Sequence, residues 1–405
     1  MTSGIVDDAG SLHPELVQLR RRLHAEPELG LQLPRTQEKV LHALDGLPLE
    51  IATGTGLTSV TAVLRGGRPG ATVLLRGDMD ALPLAERSGL DYASQTGDTM
   101  HACGHDLHTS MLVGAAQLLA ARREQLAGQV VFMFQPGEEG FDGAAAMLAE
   151  GVLDAAGPRV DHAYGLHVMS AGMPPGVFVT RRGPILAAAD TVRVVVRGAG
   201  GHGSMPHRAK DPIAAAAEMV TALQTYVTRR FDVFDPVVVT VGTFHAGTQF
   251  NIIPDEAVFE ATVRSFSRES HAAVRDGFVQ VCQGVGAAHG VAVDVEYTDL
   301  YPVTVNDAAE AEFAVDVVTE VLGEQRVAWA ANPIPASEDF SRVLDEVPGA
   351  FLALGAVPAD LDWGRAANNH SPLALFDDAV LGDGAAVLAE LASHKLAALA
   401  SRCAG

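Results

Sequence analysis

The chain has 405 residues, 48% of them hydrophobic and 19% charged, which describes a soluble globular protein longer than one core usually accommodates, so two domains are expected. Its formal net charge of −22, with no Lys/Arg-rich run, argues against a nucleic-acid partner. Cys103, Cys282 and Cys403 are odd in number and far apart, which fits a reducing cytoplasm rather than a disulfide framework. No apolar run approaches the ~18 residues of a membrane span, and the opening M-T-S-G-I-V-D-D-A-G lacks a basic stretch followed by an apolar one, so neither a membrane span nor secretion is expected.

From Pro14 to Leu47 apolar residues recur at helical spacing, broken by E-P-E-L-G-L-Q-L-P, which predicts two helices and a turn. Strand-like segments follow around Leu57 to Leu64 and Thr72 to Leu75. The second runs into R-G-D-M-D-A-L-P, leaving Asp78 and Asp80 just past a strand. Next come H-A-C-G-H-D-L-H, from His101 to His108, and a helix to about Arg123. The apolar run V-V-F-M-F-Q reads as a strand buried on both faces, and it leads into P-G-E-E-G. A helix from Gly143 and a strand A-Y-G-L-H-V carrying His167 complete a strand–helix–strand alternation. That rhythm implies an α/β, mostly parallel sheet with functional groups outside the carboxyl ends of its strands.

Beyond about Gly183 the rhythm changes to βαββαβ, the ferredoxin-like order, with Asp211 and Pro212 placed to start its first helix. The simplest division makes residues 187–299 an inserted domain and residues 1–186 and 300–405 one discontinuous domain. In the latter, a loop N-N-H-S-P carries His370 and a helix near Asp378 to Ala400 closes the chain.

The cluster at His101–His108 offers thiolate, imidazole and carboxylate groups in eight positions, a donor mixture that zinc accepts. Glu138 and Glu139 are neighbours at a strand end, so one can bind metal while the other faces a water. His167 ends an apolar strand and reads either as a ligand or as a core histidine. His370 reads as a ligand or a surface residue. Asp80 is placed to orient a ligand imidazole, or is a turn residue. His101, Asp106, His108 and His162 read as supporting groups. Cys103 could instead be a nucleophile with His105 or His108 as base, but that chemistry has no use for Glu138, Glu139, His167 and His370. In the inserted domain, G-G-H-G-S-M-P-H holds His202 in a glycine-rich turn. Asn251 lies near a turn and Arg264 at a strand end, where each could equally be an ordinary surface residue.

Taken together, R-G-D-M-D-A-L-P, H-A-C-G-H-D-L-H-T, F-Q-P-G-E-E-G, G-L-H-V, G-G-H-G-S-M-P-H, N-I-I-P, S-E-D-F and N-N-H-S-P resemble the M20 metallopeptidase family. The match is to its amidohydrolase branch of hippurate hydrolases, N-acyl-amino-acid amidohydrolases and plant auxin-conjugate hydrolases, and it runs through nearly the whole chain. In other branches a histidine stands where this chain has Asp78, and an aspartate bridges two metal ions where this chain has Cys103. The resemblance implies a zinc-peptidase-like catalytic domain and an inserted lid and dimerisation domain. It also implies two divalent ions, zinc or manganese before cobalt or nickel, held by Cys103, His105, Glu139, His167 and His370. His202 resembles a histidine that reaches across a dimer to the oxyanion, and Asn251 and Arg264 resemble substrate-contacting positions.

The expected reaction is hydrolysis of a small N-acyl amino acid, with Glu138 as general base and Asp80 orienting a ligand. The alternative is a dipeptidase or N-carbamoyl amino acid hydrolase on the same scaffold. A cytoplasmic homodimer, with no nucleic-acid or membrane partner, is the expected form.

Overall fold

The run V-V-F-M-F-Q lies within the strand Ala127–Gln135, every residue of which is buried. In the computed structural model, which describes residues 3–403, this strand is third in an eight-stranded sheet. The strands lie in the order Leu49–Thr53, Val60–Arg65, Ala127–Gln135, Arg68–Asp78, His162–Met169, Gly349–Gly355, Phe178–Thr180 and Val327–Trp329. The four from Ala127–Gln135 to Gly349–Gly355 run parallel. Antiparallel pairing is confined to the two flanks.

The parallel order follows from the alternation of strands with helices, because a parallel neighbour needs a crossover that covers the sheet face. The helices His105–Ala121 and Leu381–Cys403 pack on strand Arg68–Asp78 and on each other, and Ser3–Ala25 packs on both. His105–Ala121 is buried almost all round, which is why its sequence shows no polar face. No helix among the described residues is long and apolar enough to cross a membrane.

The chain divides into two compact units. One comprises the chain to Ile185, Val305–Asn332 and the chain from Arg342; the other comprises Leu186–Thr304 and Pro333–Ser341. The second unit holds a four-stranded antiparallel sheet in the order Val237–Ala246, Glu256–Ser265, Ala188–Arg197, Ala292–Tyr301. The helices Pro212–Arg230 and Arg268–His289 pack over it, around a core that includes Val192, Val194, Met219, Phe259 and Phe278. This is the βαββαβ ferredoxin-like arrangement. Asp211 caps the first helix by accepting from the Ile213 N–H, with Pro212 at the opening position, and Ser267 caps the second through Ser270.

Candidate metal centre

Two glycines set the close approach on which the site depends. A Cβ at Gly77 would lie 2.9 Å from the His108 carbonyl oxygen, so its absence lets the first turn of His105–Ala121 rest against the end of strand Arg68–Asp78. There the Thr109 hydroxyl donates to the Asp78 carbonyl at 2.8 Å, and His108 Nδ1 meets Asp78 Oδ1 at 2.6 Å. Gly104 has φ +85°, and a Cβ on it would meet Val168 Cγ2 at 2.3 Å, so only glycine turns the chain between Cys103 and His105 here. His105 is therefore the first residue of the helix rather than part of the preceding loop.

Asp80 fastens the G-E-E-G turn. Its Oδ1 accepts the Glu138 N–H at 2.9 Å and its Oδ2 accepts the Glu139 N–H at 3.0 Å. Asp80 Oδ1 also lies 3.6 Å from His105 Nδ1. His370 has φ +68°, and its N–H donates to the Ala102 carbonyl at 2.8 Å, which ties the N-N-H-S-P loop to the residue before Cys103. The thiol sulfur of Cys103 is 3.3 Å from Nε2 of both His167 and His370, and His370 Nε2 is 3.2 Å from Glu139 Oε1.

The donor atoms fall into groups that could each seat a cation. Those of Cys103, His105 and His167 lie within 4.8 Å of one another, as do those of Cys103, Glu139 and His370. Cys103 is common to both. Both ring nitrogens of His105 are buried without a hydrogen-bond partner, an arrangement that costs free energy unless something answers those atoms. A borderline cation taking sulfur, nitrogen and oxygen together fits this donor set. Hydrogen bonds to Cys103 and Glu139 raise His370 to about 10. Burial would raise Glu139, but the His370 hydrogen bond and the charge on His105 outweigh it and hold Glu139 below its ordinary value. Burial pushes His167 well down, toward the neutral ring that ligation requires.

Glu138 and Asp80 are buried beside these groups. In the second unit, His202 is exposed on the two-residue strand Gly201–His202, which pairs with Ile252–Ile253. The Asn251 carbonyl accepts the Gly203 N–H at 2.8 Å, so His202 and Asn251 belong to one turn region. Arg264 sits on the separate strand Glu256–Ser265, half-buried, with Nη1 donating to Thr262 Oγ1 at 2.7 Å and to the Val263 carbonyl at 3.0 Å.

Several supporting residues escaped the reading of the sequence. Arg76 Nη1 donates to Asp78 Oδ2 at 2.5 Å. Asn369 Nδ2 donates to the carbonyls of Val168 at 3.0 Å and Cys103 at 3.3 Å. Behind the cluster, Asp106 Oδ2 accepts from Arg20 Nε at 2.7 Å and from His24 Nδ1 at 2.8 Å, with His24 Nε2 reaching Glu86 at 3.2 Å. The available signal was the four-residue spacing of Arg20 and His24, which puts both on the stripe occupied by the buried Leu16 and Leu23.

A model of peptidase family M20/M25/M40 matches residues 74–394. The chain is 37% identical over 390 residues to thermostable carboxypeptidase 2 of Saccharolobus solfataricus, covering 95% of this chain and 96% of that one. It is 34% identical over 388 residues to the hippurate hydrolase of Campylobacter jejuni, covering 96% and 98%. The crystal structure of Bacillus subtilis YXEP, described as a dinuclear metal binding peptidase from the M20 family, superposes with a TM-score of 0.82 at 33% identity, over 96% of this chain and 99% of that one. The chain belongs to peptidase family M20/M25/M40, whose members are hydrolases of amide and peptide bonds.

Proposed function

We propose that this chain hydrolyses the amide bond of N-acyl amino acids, releasing a carboxylic acid and a free amino acid, and that it does so with two divalent ions. The observation that carries the reading is Cys103, common to two groups of converging donors, beside a second glutamate left over for acid–base work. Cys103, His105, Glu139, His167 and His370 would hold the ions, with Cys103 common to both groups of donors and zinc or manganese preferred to cobalt or nickel. When bound, such ions polarise a carbonyl and lower the pKa of a water.

The protein's own groups then carry the proton. Glu138 takes it from the attacking water as the new C–O bond forms, and delivers it to the amide nitrogen as the C–N bond breaks. Asp80 keeps Glu138 and Glu139 in register through their backbone amides. His202 would stabilise charge on the carbonyl oxygen, Arg264 would pair with the α-carboxylate of the leaving amino acid, and Asn251 would contact substrate. A cytoplasmic homodimer assembled through the second unit, which would also act as a lid, completes the proposal.

The similarity to a carboxypeptidase keeps a peptide-cleaving reading in play. Hippurate, N-acetyl amino acids, N-carbamoyl amino acids and dipeptides should be assayed side by side, before chelation, after it and after metal add-back. Loss on chelation, recovery with a divalent ion and fastest turnover of hippurate or an N-acetyl amino acid are expected. Faster dipeptide cleavage would favour the peptidase, and activity that survives complete chelation would overturn both.

A further inference from the structure

His108 has the surroundings of a metal ligand, since its donor atoms converge with those of Asp78 and His105. Its hydrogen bonds decide otherwise. The Val168 N–H can only donate, and it points at His108 Nε2 at 2.8 Å, so that nitrogen carries a lone pair already in use. The proton of the neutral ring is then on Nδ1, where Asp78 Oδ1 accepts it at 2.6 Å while Asp78 Oδ2 holds the Arg76 guanidinium. His108 and Asp78 are both buried, and neither His108 nitrogen is left to bind a metal.

What the His108 ring does hold is the backbone on which His167 is carried. The Val168 carbonyl accepts from His167 Nδ1 at 2.8 Å and from Asn369 Nδ2 at 3.0 Å. Val168 is thus pinned at its N–H by His108 and at its carbonyl by Asn369. With its Nδ1 proton committed to that carbonyl, His167 turns its Nε2 lone pair toward the Cys103 sulfur, 3.3 Å away. The rings of His108 and His167 lie edge to face with centroids 4.6 Å apart, so a displaced His108 would also remove one of the walls around His167.

We propose that His108, oriented by Asp78, is a positioning residue that fixes the Val168 amide so that His167 presents Nε2 to the ion it shares with Cys103. The proposal rests on the metal-centre reading above. Its chemistry separates the two ends of the ring: the acceptor at Nε2 carries the effect, and the proton at Nδ1 keeps the ring in place. Replacement by glutamine can restore an acceptor near the Val168 N–H. Asparagine is one carbon shorter and cannot.

The test is titration of the metal-stripped full-length protein with cobalt(II), read by the visible d–d bands and the thiolate-to-cobalt charge-transfer absorption. Wild-type protein should take up two equivalents. His108→Asn should bind one of them about 10–100-fold more weakly, with altered d–d intensity, and His108→Gln should recover most of the loss. Should the asparagine variant fail to fold, His108→Phe, which keeps the ring's volume without an acceptor, takes its place. Two equivalents bound with wild-type affinity and spectrum in the variant lacking an acceptor would overturn the proposal, as would equal weakening in the glutamine variant. If wild-type protein bound no cobalt, the metal-centre reading itself would fall, and the proposal with it.

Discussion

Asp80 receives the backbone N–H of Glu138 on one carboxylate oxygen and that of Glu139 on the other, at 2.9 and 3.0 Å. The proposed base and a proposed ligand are thereby fixed to each other through one buried side chain, which also lies 3.6 Å from His105. Asp80→Asn puts an NH2 group where one oxygen accepted, so a backbone amide loses its partner at a cost of about 1–3 kcal/mol. Because that amide belongs to Glu138 or Glu139, kcat should fall by about 10–100-fold with little change in KM. Urea denaturation and steady-state kinetics on one preparation check both effects. An unchanged kcat would show that the carboxylate does not govern the two glutamates.

The buried pair of Arg20 and Asp106 carries a stability prediction. Both side chains are fully buried and meet at 2.7 Å, so Asp106→Leu should destabilise by up to about 3–5 kcal/mol, since Arg20 is left with only Tyr92 and Asp378 and His24 loses its carboxylate. Arg20→Met combined with Asp106→Leu should cost less than the sum of the two single changes. A double-mutant cycle by urea unfolding measures the coupling, and strict additivity would mean that the pair does not act as a unit.

Acid sensitivity should arise partly at Glu310. Burial pushes this carboxyl up, but hydrogen bonds with His162, Lys395 and Tyr164 prevail and hold it at about 2, against an ordinary 4.5. A depressed carboxyl contributes stability that is present above its unfolded value and lost as pH falls through its folded value. The window is therefore from about 4.5 down to about 2, and the contribution is at most about 3 kcal/mol. Unfolding midpoints across that range should fall more steeply for wild-type protein than for Glu310→Gln. Parallel curves would rule out the His162, Lys395 and Tyr164 contacts as the source.

Glu138 and Glu139 were legible in the sequence because they stand where an apolar strand gives way to polar residues, at G-E-E-G after Ala127–Gln135, whereas the five-residue ligand set was implied by the family resemblance. What stayed hidden depends on partners far away in the chain or on elements too short to show a period. Arg20 finds Asp106 across 86 positions, and although its place on the stripe of Leu16 and Leu23 marks a buried charge, nothing local names its partner. Phe178–Thr180 and Val327–Trp329 have three residues each, too few for alternation to register. The first helix runs from Ser3, with Pro14 inside it rather than at its start, since Ile5 and Ala9 are buried along with Leu16 and Leu23.

Glu138 separates catalysis from metal binding most cleanly, because the proposed ligands are all other residues. Glu138→Gln keeps the size of the side chain and removes the base. Metal content per chain and kcat should be measured on the same sample after loading with zinc or manganese. Retention of two ions with kcat reduced by about 10²–10⁴-fold is the expected result. Two ions bound with a near-normal kcat would contradict the assignment of Glu138 as the proton carrier.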